Sequence, residues 1–197
     1  MAETDHAVEP EEVAEAEHPP LDPETLERRR QALAHVRQYG DPVLKSEARA
    51  VDVFDDALRA DLERMGHLMD DALGIGLAAT QVGTVARYLV YKVEPDSAVQ
   101  ALVNPVVEWS SSEKEWMEEG CLSLPGVHVD VERPIHVRVR AQDGTGEAIT
   151  LEASGLEARV IQHEMDHLDG VLILDRAPRD QRKEAMRILR ERAAGVA

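Results

Sequence analysis

Two histidines and a glutamate, His163, Glu164 and His167, have the types and spacing in this sequence that are best suited to chemistry. They form a His-Glu-x-x-His motif in a segment of helical apolar periodicity that runs from Gly155 to Gly170. Residues four apart lie on one face of a helix, so both imidazoles could bind one metal ion, with Glu164 about 100° round the helix axis. A bound divalent metal lowers the pKa of a coordinated water to roughly 7, and a neighbouring carboxylate can take its proton. The motif therefore predicts metal-dependent hydrolysis.

A motif this short can also arise by chance, and the two histidines would then belong to a solvated helix face or to the core. A third metal ligand would argue against that alternative. The only cysteine, Cys121, is the leading candidate, because it lies between Gly120 and a Pro-Gly turn where the backbone is accessible to a cleft. One thiolate and two imidazoles would leave a fourth coordination position open for water, as in catalytic sites. His128 is the competing candidate, although an alternating strand pattern accounts for it without a metal.

Composition and charge restrict the class of protein. With 197 residues, 43% of them hydrophobic, the chain is long enough for one sizeable core, and we expect one domain. Aromatic residues make up 3% and the net charge is −17, which argues against nucleic acid and against DNA in particular as a partner. No run of about 18 apolar residues is present to span a membrane. We therefore expect a cytoplasmic protein without a membrane partner.

The acidic residues are concentrated at the start of the chain. Residues 1–26 hold nine acidic residues, four prolines and no Lys or Arg. This composition is typical of a disordered, solvated segment, and it differs from that of signal and transit peptides. We predict a disordered acidic extension over residues 1–26 and a single domain over residues 27–197.

The periodicity of the apolar residues predicts an α+β fold. Helices are expected over residues 23–38 and 55–73, the second with a continuous apolar stripe from Phe54 to Leu73 that we assign to the core. Between the second of these helices and the metal-binding helix, the apolar residues recur with a period of two. This predicts strands in antiparallel or mixed sheets packed around a central His-Glu-x-x-His helix. The expected strands are residues 87–93, 101–109, 114–117, 127–131, 135–141 and 148–153.

A last amphipathic helix is expected over residues 179–193. It carries six basic and three acidic residues in an otherwise acidic protein. A solvated helix stabilised by pairs of opposite charge four residues apart is one interpretation. The other is a docking element for an anionic partner, for which the surface of the ribosome is our candidate.

Three stretches of the chain together resemble the signature sequences of the peptide deformylase family. They are residues 74–81 (GIGLAATQ), 119–123 (EGCLS) and 162–167 (QHEMDH), in this order. The resemblance extends over roughly residues 36–178. It implies a metal-dependent hydrolase that removes the formyl group from the N-formylmethionine of nascent polypeptides and releases formate.

The resemblance also implies the roles of individual residues. Cys121, His163 and His167 would hold the metal, and Glu164 would be the general acid and base. The oxyanion would be held by the Gln81 amide and the Leu122 backbone N–H. Ferrous iron is the expected metal, with Zn²⁺, Ni²⁺ and Co²⁺ as alternatives. The residues expected to contact the substrate are Ile75, Gly76 and Gly120 through their backbone, and Leu156 and Val160 in the methionine pocket.

Two other classes of protein share part of this pattern. A His-Glu-x-x-His metallopeptidase would normally take its third ligand from a histidine or glutamate, which leaves Gln81 and Cys121 without a role. A non-catalytic metal-binding module would have no use for Glu164 beside an open coordination position. A formyl-peptide assay distinguishes the three classes.

Overall fold

The computed structural model describes residues 21–194, which form five α-helices, seven strands and two short 3-10 helices. The α-helices are α1 (Pro23–Leu33), α2 (Asp56–Asp71), α3 (Gly155–Leu168), α4 (Ile173–Arg176) and α5 (Arg179–Ala193). The strands are β1 (Gly76–Ala78), β2 (Tyr88–Tyr91), β3 (Gln100–Ser110), β4 (Lys114–Gly120), β5 (His128–Pro134), β6 (His136–Gln142) and β7 (Ala148–Ser154). The 3-10 helices are Pro42–Lys45 and Ala79–Val82.

The strands form two antiparallel sheets. Five strands pair in the order β1-β2-β3-β6-β7, and β4 pairs with β5 in a separate two-stranded sheet. Each of the five strand pairings is antiparallel. The predicted α+β class with antiparallel sheets is therefore confirmed.

The first helix begins at Pro23 and is shorter than predicted. Asp22 caps it by accepting a hydrogen bond from the Thr25 N–H at 3.0 Å. The helix ends at Leu33 instead of continuing to residue 38, because Val36 is buried in the core and the Arg37 N–H donates to the Gln81 carbonyl at 2.7 Å. Residues 23–26, predicted as part of the disordered extension, are thus helical. Residues 1–20 of that extension lie outside the described residues.

Helix α2 buries most of the predicted apolar stripe. Leu58, Leu62, Met65 and Met69 are buried and pack in one cluster with residues of β1 and β2. The exception is Leu73, which is 49% exposed because it follows the end of the helix with a positive φ of 59°. The methionines are part of the core, as the helical spacing predicted.

Helix α3 carries the His-Glu-x-x-His motif and contacts strands of both sheets. It packs against β1, β2, β6 and β7 of the larger sheet and against β5 of the smaller one. It also contacts the 3-10 helix Ala79–Val82. Most side chains of its second half are buried, from Glu164 to Leu168. The motif is therefore held at the junction of the two sheets.

Helix α5 covers the smaller sheet. Its buried residues Ala185 and Leu189 join a cluster that includes Val129 and Val131 of β5. The basic side chains of α5 belong to exposed residues. Within residues 21–194, no helix has both the length and the apolar character that crossing a membrane would require.

Candidate metal centre

Three side chains with metal-binding atoms converge where α3 meets the end of β4. The ligand atoms of Cys121, His163 and His167 all lie within 4.8 Å of one another. The Sγ atom of Cys121 is 3.2 Å from Nε2 of His167. The two imidazole rings have centroids 5.0 Å apart and an interplanar angle of 70°. The chain thus brings one sulfur and two nitrogen atoms to a single point.

His128, the competing candidate ligand, is not part of this group. It begins β5, its side chain is 60% exposed, and its Nδ1 lies 3.6 Å from a carboxylate oxygen of Glu118. Its ring also lies beside Gly120, where an added Cβ would be 3.2 Å from Cε1. His128 therefore faces the cleft from its rim.

Glu164 is buried beside the three candidate ligands. Its Oε2 atom has no hydrogen-bond partner within the described part of the chain. Burial raises the pKa of this carboxyl to about 7. A bound divalent cation would oppose that effect by stabilising the carboxylate. The space around Glu164 depends on Gly76 of β1, because a Cβ at that position would overlap the Glu164 side chain.

Glu119 connects His163 to a buried network of charged side chains, which the sequence pattern did not predict. Its carboxylate accepts hydrogen bonds from His163 Nδ1 at 2.9 Å, from Arg133 Nε at 2.6 Å and from Arg159 Nη1 at 2.8 Å. Arg133 also donates to Asp166 at 2.8 Å. Burial alone would raise the pKa of Glu119, but the hydrogen bonds from Arg133 and His163 hold it well below its usual range.

The Glu119 hydrogen bond also determines which nitrogen of His163 is available. An ionised carboxylate only accepts hydrogen bonds, so Nδ1 of His163 donates to it and Nε2 is the ring nitrogen left to bind a metal. Acidic residues next to a metal-binding cysteine were a possible signal, since a ligand histidine commonly donates its second N–H to a carboxylate. Sequence alone does not show which of the many acidic residues reaches the ring.

Gln81 is held in a fixed orientation next to Cys121. Its Oε1 accepts a hydrogen bond from the Ala78 N–H at 2.8 Å. Its Nε2 lies 3.6 Å from Cys121 Sγ and 3.2 Å from Ser123 Oγ. In the same 3-10 helix, the Thr80 hydroxyl donates to the His167 carbonyl at 3.0 Å. The amide donor of Gln81 therefore points towards the candidate metal ligands.

A cleft of about 610 Å³ leads to these residues. Its lining includes Gln81, Cys121, Leu122, His163 and Glu164. It also includes each residue predicted to contact the substrate, namely Ile75, Gly76, Gly120, Leu156 and Val160. Of these apolar side chains, Ile75 and Leu156 are about half exposed, whereas Val160 is buried.

The chemistry of the three donors fits a divalent transition metal. Thiolate and imidazole are ligands of zinc, iron and related ions, and three protein ligands leave a position for water or substrate. Nδ1 of His167 has no hydrogen-bond partner among residues 21–194, but it is the ring nitrogen opposite to Nε2, which faces Cys121. Oε2 of Glu164, a buried atom beside the candidate ligands, also has no partner among these residues. Such unpaired groups are rare in protein interiors unless an ion, water or ligand satisfies them.

The fold and the site together define an α+β protein with a candidate mononuclear metal centre of the His-Glu-x-x-His type. Comparison with known proteins gives the family. A sequence model of the family described as polypeptide deformylase matches residues 33–183. The peptide deformylase of Acidothermus cellulolyticus is 44% identical over 160 residues, which are 81% of this chain and 87% of that protein. That of Thermotoga neapolitana is 45% identical over 163 residues, 82% of this chain and 95% of the relative.

Solved structures show the same relationship. The peptide deformylase of Synechococcus elongatus in complex with actinonin is similar to this chain with a TM-score of 0.74 and 42% identity, covering 82% of this chain and 88% of that one. The Thermotoga maritima peptide deformylase is similar with a TM-score of 0.70 and 43% identity, and the match covers 73% of this chain and 96% of that one. This chain therefore belongs to the polypeptide deformylase family, as the three signature stretches predicted.

Proposed function

We propose that this protein hydrolyses the formamide bond of N-formylmethionine at the start of nascent polypeptides. Water adds to the formyl carbon, the C–N bond breaks, and formate and a free amino terminus are released. The observation that carries the proposal is the convergence of Cys121, His163 and His167 on one point, beside a cleft whose lining also includes Glu164 and Gln81. Neither a metallopeptidase nor a non-catalytic module accounts for all five residues.

Metal binding, proton transfer and stabilisation of the oxyanion are each assigned to different residues. Cys121, His163 and His167 would hold the metal, which when bound supplies a Lewis acid for the water and the formyl group. Glu164 takes the proton of the attacking water and delivers it to the departing amine. The Gln81 amide and the Leu122 N–H donate to the carbonyl oxygen as negative charge develops there. The fixed orientation of Gln81 means that this donor needs no reorganisation during the reaction.

The substrate would bind as an extended strand between the walls of the cleft. The backbone of Ile75 and Gly76 on one side and of Gly120 on the other is accessible for such pairing. Leu156 and Val160, on the first turns of α3, would contact the methionine side chain. In this arrangement α3 is the central helix of the fold, since it supplies two metal ligands, the acid/base and part of the pocket.

We further propose that the resident metal is ferrous iron. The donor set of one thiolate and two imidazoles suits several borderline metals, so the choice of iron rests on the resemblance to the family. Apoprotein loaded with Fe²⁺ without oxygen should be most active and should lose activity in air, whereas Ni²⁺ or Co²⁺ protein should retain it. If Zn²⁺ protein matches Fe²⁺ protein in turnover and the Fe²⁺ protein is stable in air, the assignment of iron is wrong.

The basic face of α5 is our candidate contact with the ribosome. Its exposed cations would meet the anionic surface of the ribosome at the place where nascent chains emerge, in the cytoplasm as expected from the sequence. Ala185 and Leu189 are part of the core, so deleting the helix would disturb the fold. Charge substitutions such as Arg179→Gln with Lys183→Gln are the appropriate test. Cosedimentation with ribosomes should fall, most visibly at low salt, and unchanged cosedimentation would contradict the contact.

The proposed reaction is tested with purified, metal-loaded protein and the peptide formyl-Met-Ala-Ser. We expect stoichiometric release of formate and of the free amino terminus. Cleavage of internal peptide bonds without release of formate would identify a metallopeptidase. Metal binding without turnover of either kind would identify a non-catalytic module.

A further inference from the structure

Two arginines that line the cleft lie outside the part of the chain that matches the family. Arg29 in α1 and Arg192 in α5 both belong to the cleft lining. The match with the family covers residues 33–183, which include every other lining residue. The two terminal helices therefore add two cations to a cleft that the matched region otherwise builds. Both are exposed residues, so they lie on the solvent side of the cleft.

Arg29 is fixed by the end of a neighbouring helix. Its Nε donates to the carbonyl of Ala72 at 3.3 Å, where α2 ends. A helix C-terminus carries partial negative charge and stabilises a nearby cation. No carboxylate lies within 4.0 Å of this guanidinium in the described part of the chain, whereas the adjacent Arg28 has Asp71 at 3.9 Å. The terminal NH₂ groups of Arg29 are thus available to a ligand.

Arg192 lies against the turn that follows Cys121. Gly126 in that turn has a φ of +73°, and an added Cβ would be 2.6 Å from Nη2 of Arg192. A side chain at this position would require the Arg192 guanidinium to move away from the turn. Within residues 21–194, Arg192 also has no carboxylate within 4.0 Å, whereas Arg187 of the same helix pairs with Glu191 at 2.6 Å.

The cleft lining contains one further arginine, Arg159, and three acidic residues, Glu118, Glu119 and Glu164. Arg159 is paired with the buried Glu119. Glu118 is exposed and lies beside His128 at the rim, and Glu164 is buried at the floor. Arg29 and Arg192, hereafter the arginine pair, are consequently the uncompensated cations that the described residues place on the cleft.

We propose that a guanidinium of the arginine pair binds a carboxylate of the formyl peptide downstream of methionine, so that the enzyme favours substrates with Asp or Glu there. This inference rests on the proposed function. A guanidinium matches a carboxylate geometrically and can form two parallel hydrogen bonds with it. An extended peptide advances about 3.3 Å per residue, so residues two to five of the substrate would pass from the reacting group towards the rim of the cleft.

The test uses amidated formyl-Met peptides of five residues in which one Glu or one Gln is placed in turn at positions two to five. Amidation removes the terminal carboxylate, so that each pair of peptides differs in one charge. For the wild-type protein we expect kcat/KM to be about 2- to 10-fold higher with Glu than with Gln at one of these positions, mainly through KM. The preference should weaken at 1 M salt, because exposed ion pairs are screened.

Substitution identifies the residues responsible. In Arg29→Gln and Arg192→Gln the ratio of kcat/KM for the Glu peptide to that for the Gln peptide should fall, and it should be close to one in the double variant. Arg28→Gln on α1 and Arg190→Gln on α5 are matched controls that do not line the cleft, and they should keep the wild-type ratio. A ratio of one at every position in the wild type, or a ratio that persists in the double variant, would overturn the proposal.

The same carboxylate chemistry could come from the chain itself, since residues 1–20 contain seven acidic residues. Neutralising these seven in the full chain separates the two sources. One outcome would contradict the proposal: the change raises kcat/KM equally for the Glu and Gln peptides, and this increase is absent in the double variant. The arginine pair would then bind the chain's own carboxylates. Wild-type protein that hydrolyses no formyl peptide at all would instead refute the proposed function.

Discussion

Glu164 combines a buried carboxylate with a neighbour that makes room for it. Gly76 lies so close that any larger residue would displace the Glu164 side chain. Burial raises the pKa of this carboxyl and a bound cation would lower it, so the two effects act in opposite directions on the group that is proposed to transfer protons. The environment of Glu164 thus supports the role in proton transfer that the sequence motif predicted.

Replacing Glu164 by Gln should separate metal binding from catalysis. The three candidate ligands stay, and the amide has nearly the shape of the carboxylate, so metal content should be retained. Turnover of formyl-Met-Ala-Ser should fall by about 10²–10⁴, the usual contribution of proton transfer by a positioned group. Metal analysis and formate release measured on the same sample provide the check, and substantial activity in a fully loaded variant would exclude the role.

Removing the Gln81 amide should lower kcat. The loss of one oxyanion donor costs on the order of 10²–10³ in kcat, so Gln81→Ala should fall in that range. Ser123→Ala is the matched control, because it removes a hydrogen-bond partner of Gln81 and leaves the amide in place. Its kcat should change less than about tenfold, as expected for one ordinary hydrogen bond. If kcat of Gln81→Ala equals the wild-type value, another group holds the oxyanion.

At the scale of elements, Glu119 connects three parts of the fold. It lies near the C-terminal end of β4, and its carboxylate pairs with Arg133 of β5 and with Arg159 and His163 of α3. Glu119, Arg133 and Arg159 are buried and the His163 side chain is 11% exposed, so their charges are little screened by water. The smaller sheet is consequently fixed to the metal-binding helix by charge as well as by packing.

Glu119→Gln should weaken both the fold and the metal site. Removing the negative charge leaves two buried guanidinium groups undercompensated, which should lower the free energy of unfolding by about 3–5 kcal/mol. The amide keeps one acceptor oxygen but not the negative charge beside His163, which should reduce metal affinity by about 10–100-fold. Glu118→Gln is the control, since that neighbour is 70% exposed and outside the network. Denaturant titration of the apoprotein and metal competition with a chelator measure the two effects, and equal values for both variants would contradict the assignment.

At the scale of the whole molecule, residues 21–194 consist of the family region and two terminal helices that extend beyond it and each contribute one arginine to the cleft lining. The match with the family covers residues 33–183, whereas α1 and the end of α5 lie beyond it. Both helices nevertheless pack on the family region, α1 on α2 and α5 on β5. We therefore predict that the catalytic unit of this chain is one domain that begins with α1.

Two truncations test where that domain begins. Removal of residues 1–20 should leave the melting temperature and kcat unchanged, because this composition cannot bury a core. Removal of residues 1–26 also deletes Asp22, the cap of α1, and the first helical turn. Loss of a cap costs about 1 kcal/mol, which should lower the melting temperature by roughly 2–4 °C. Thermal denaturation compares the two, and a drop of several degrees on removing residues 1–20 alone would show that this segment contributes to the fold.

The sequence by itself determined the features that depend on local spacing. His163 and His167 share a helix face because four residues nearly complete a turn, and the change of period from 3.6 to two predicted where strands replace helices. The three signature stretches were sufficient to indicate the family. These signals are local, so they do not require knowledge of which distant segments touch.

Only the tertiary structure decided the features that depend on long-range packing. It brings Cys121 to the two histidines and leaves His128 at the rim, because β4 and β5 are fixed against α3. It selects Glu119 from the many acidic residues as the partner of His163. It ends α1 at Leu33 because burial of Val36 outweighs helical propensity. Each outcome depends on burial and charge compensation between segments far apart in the chain, and residue order alone does not specify these interactions.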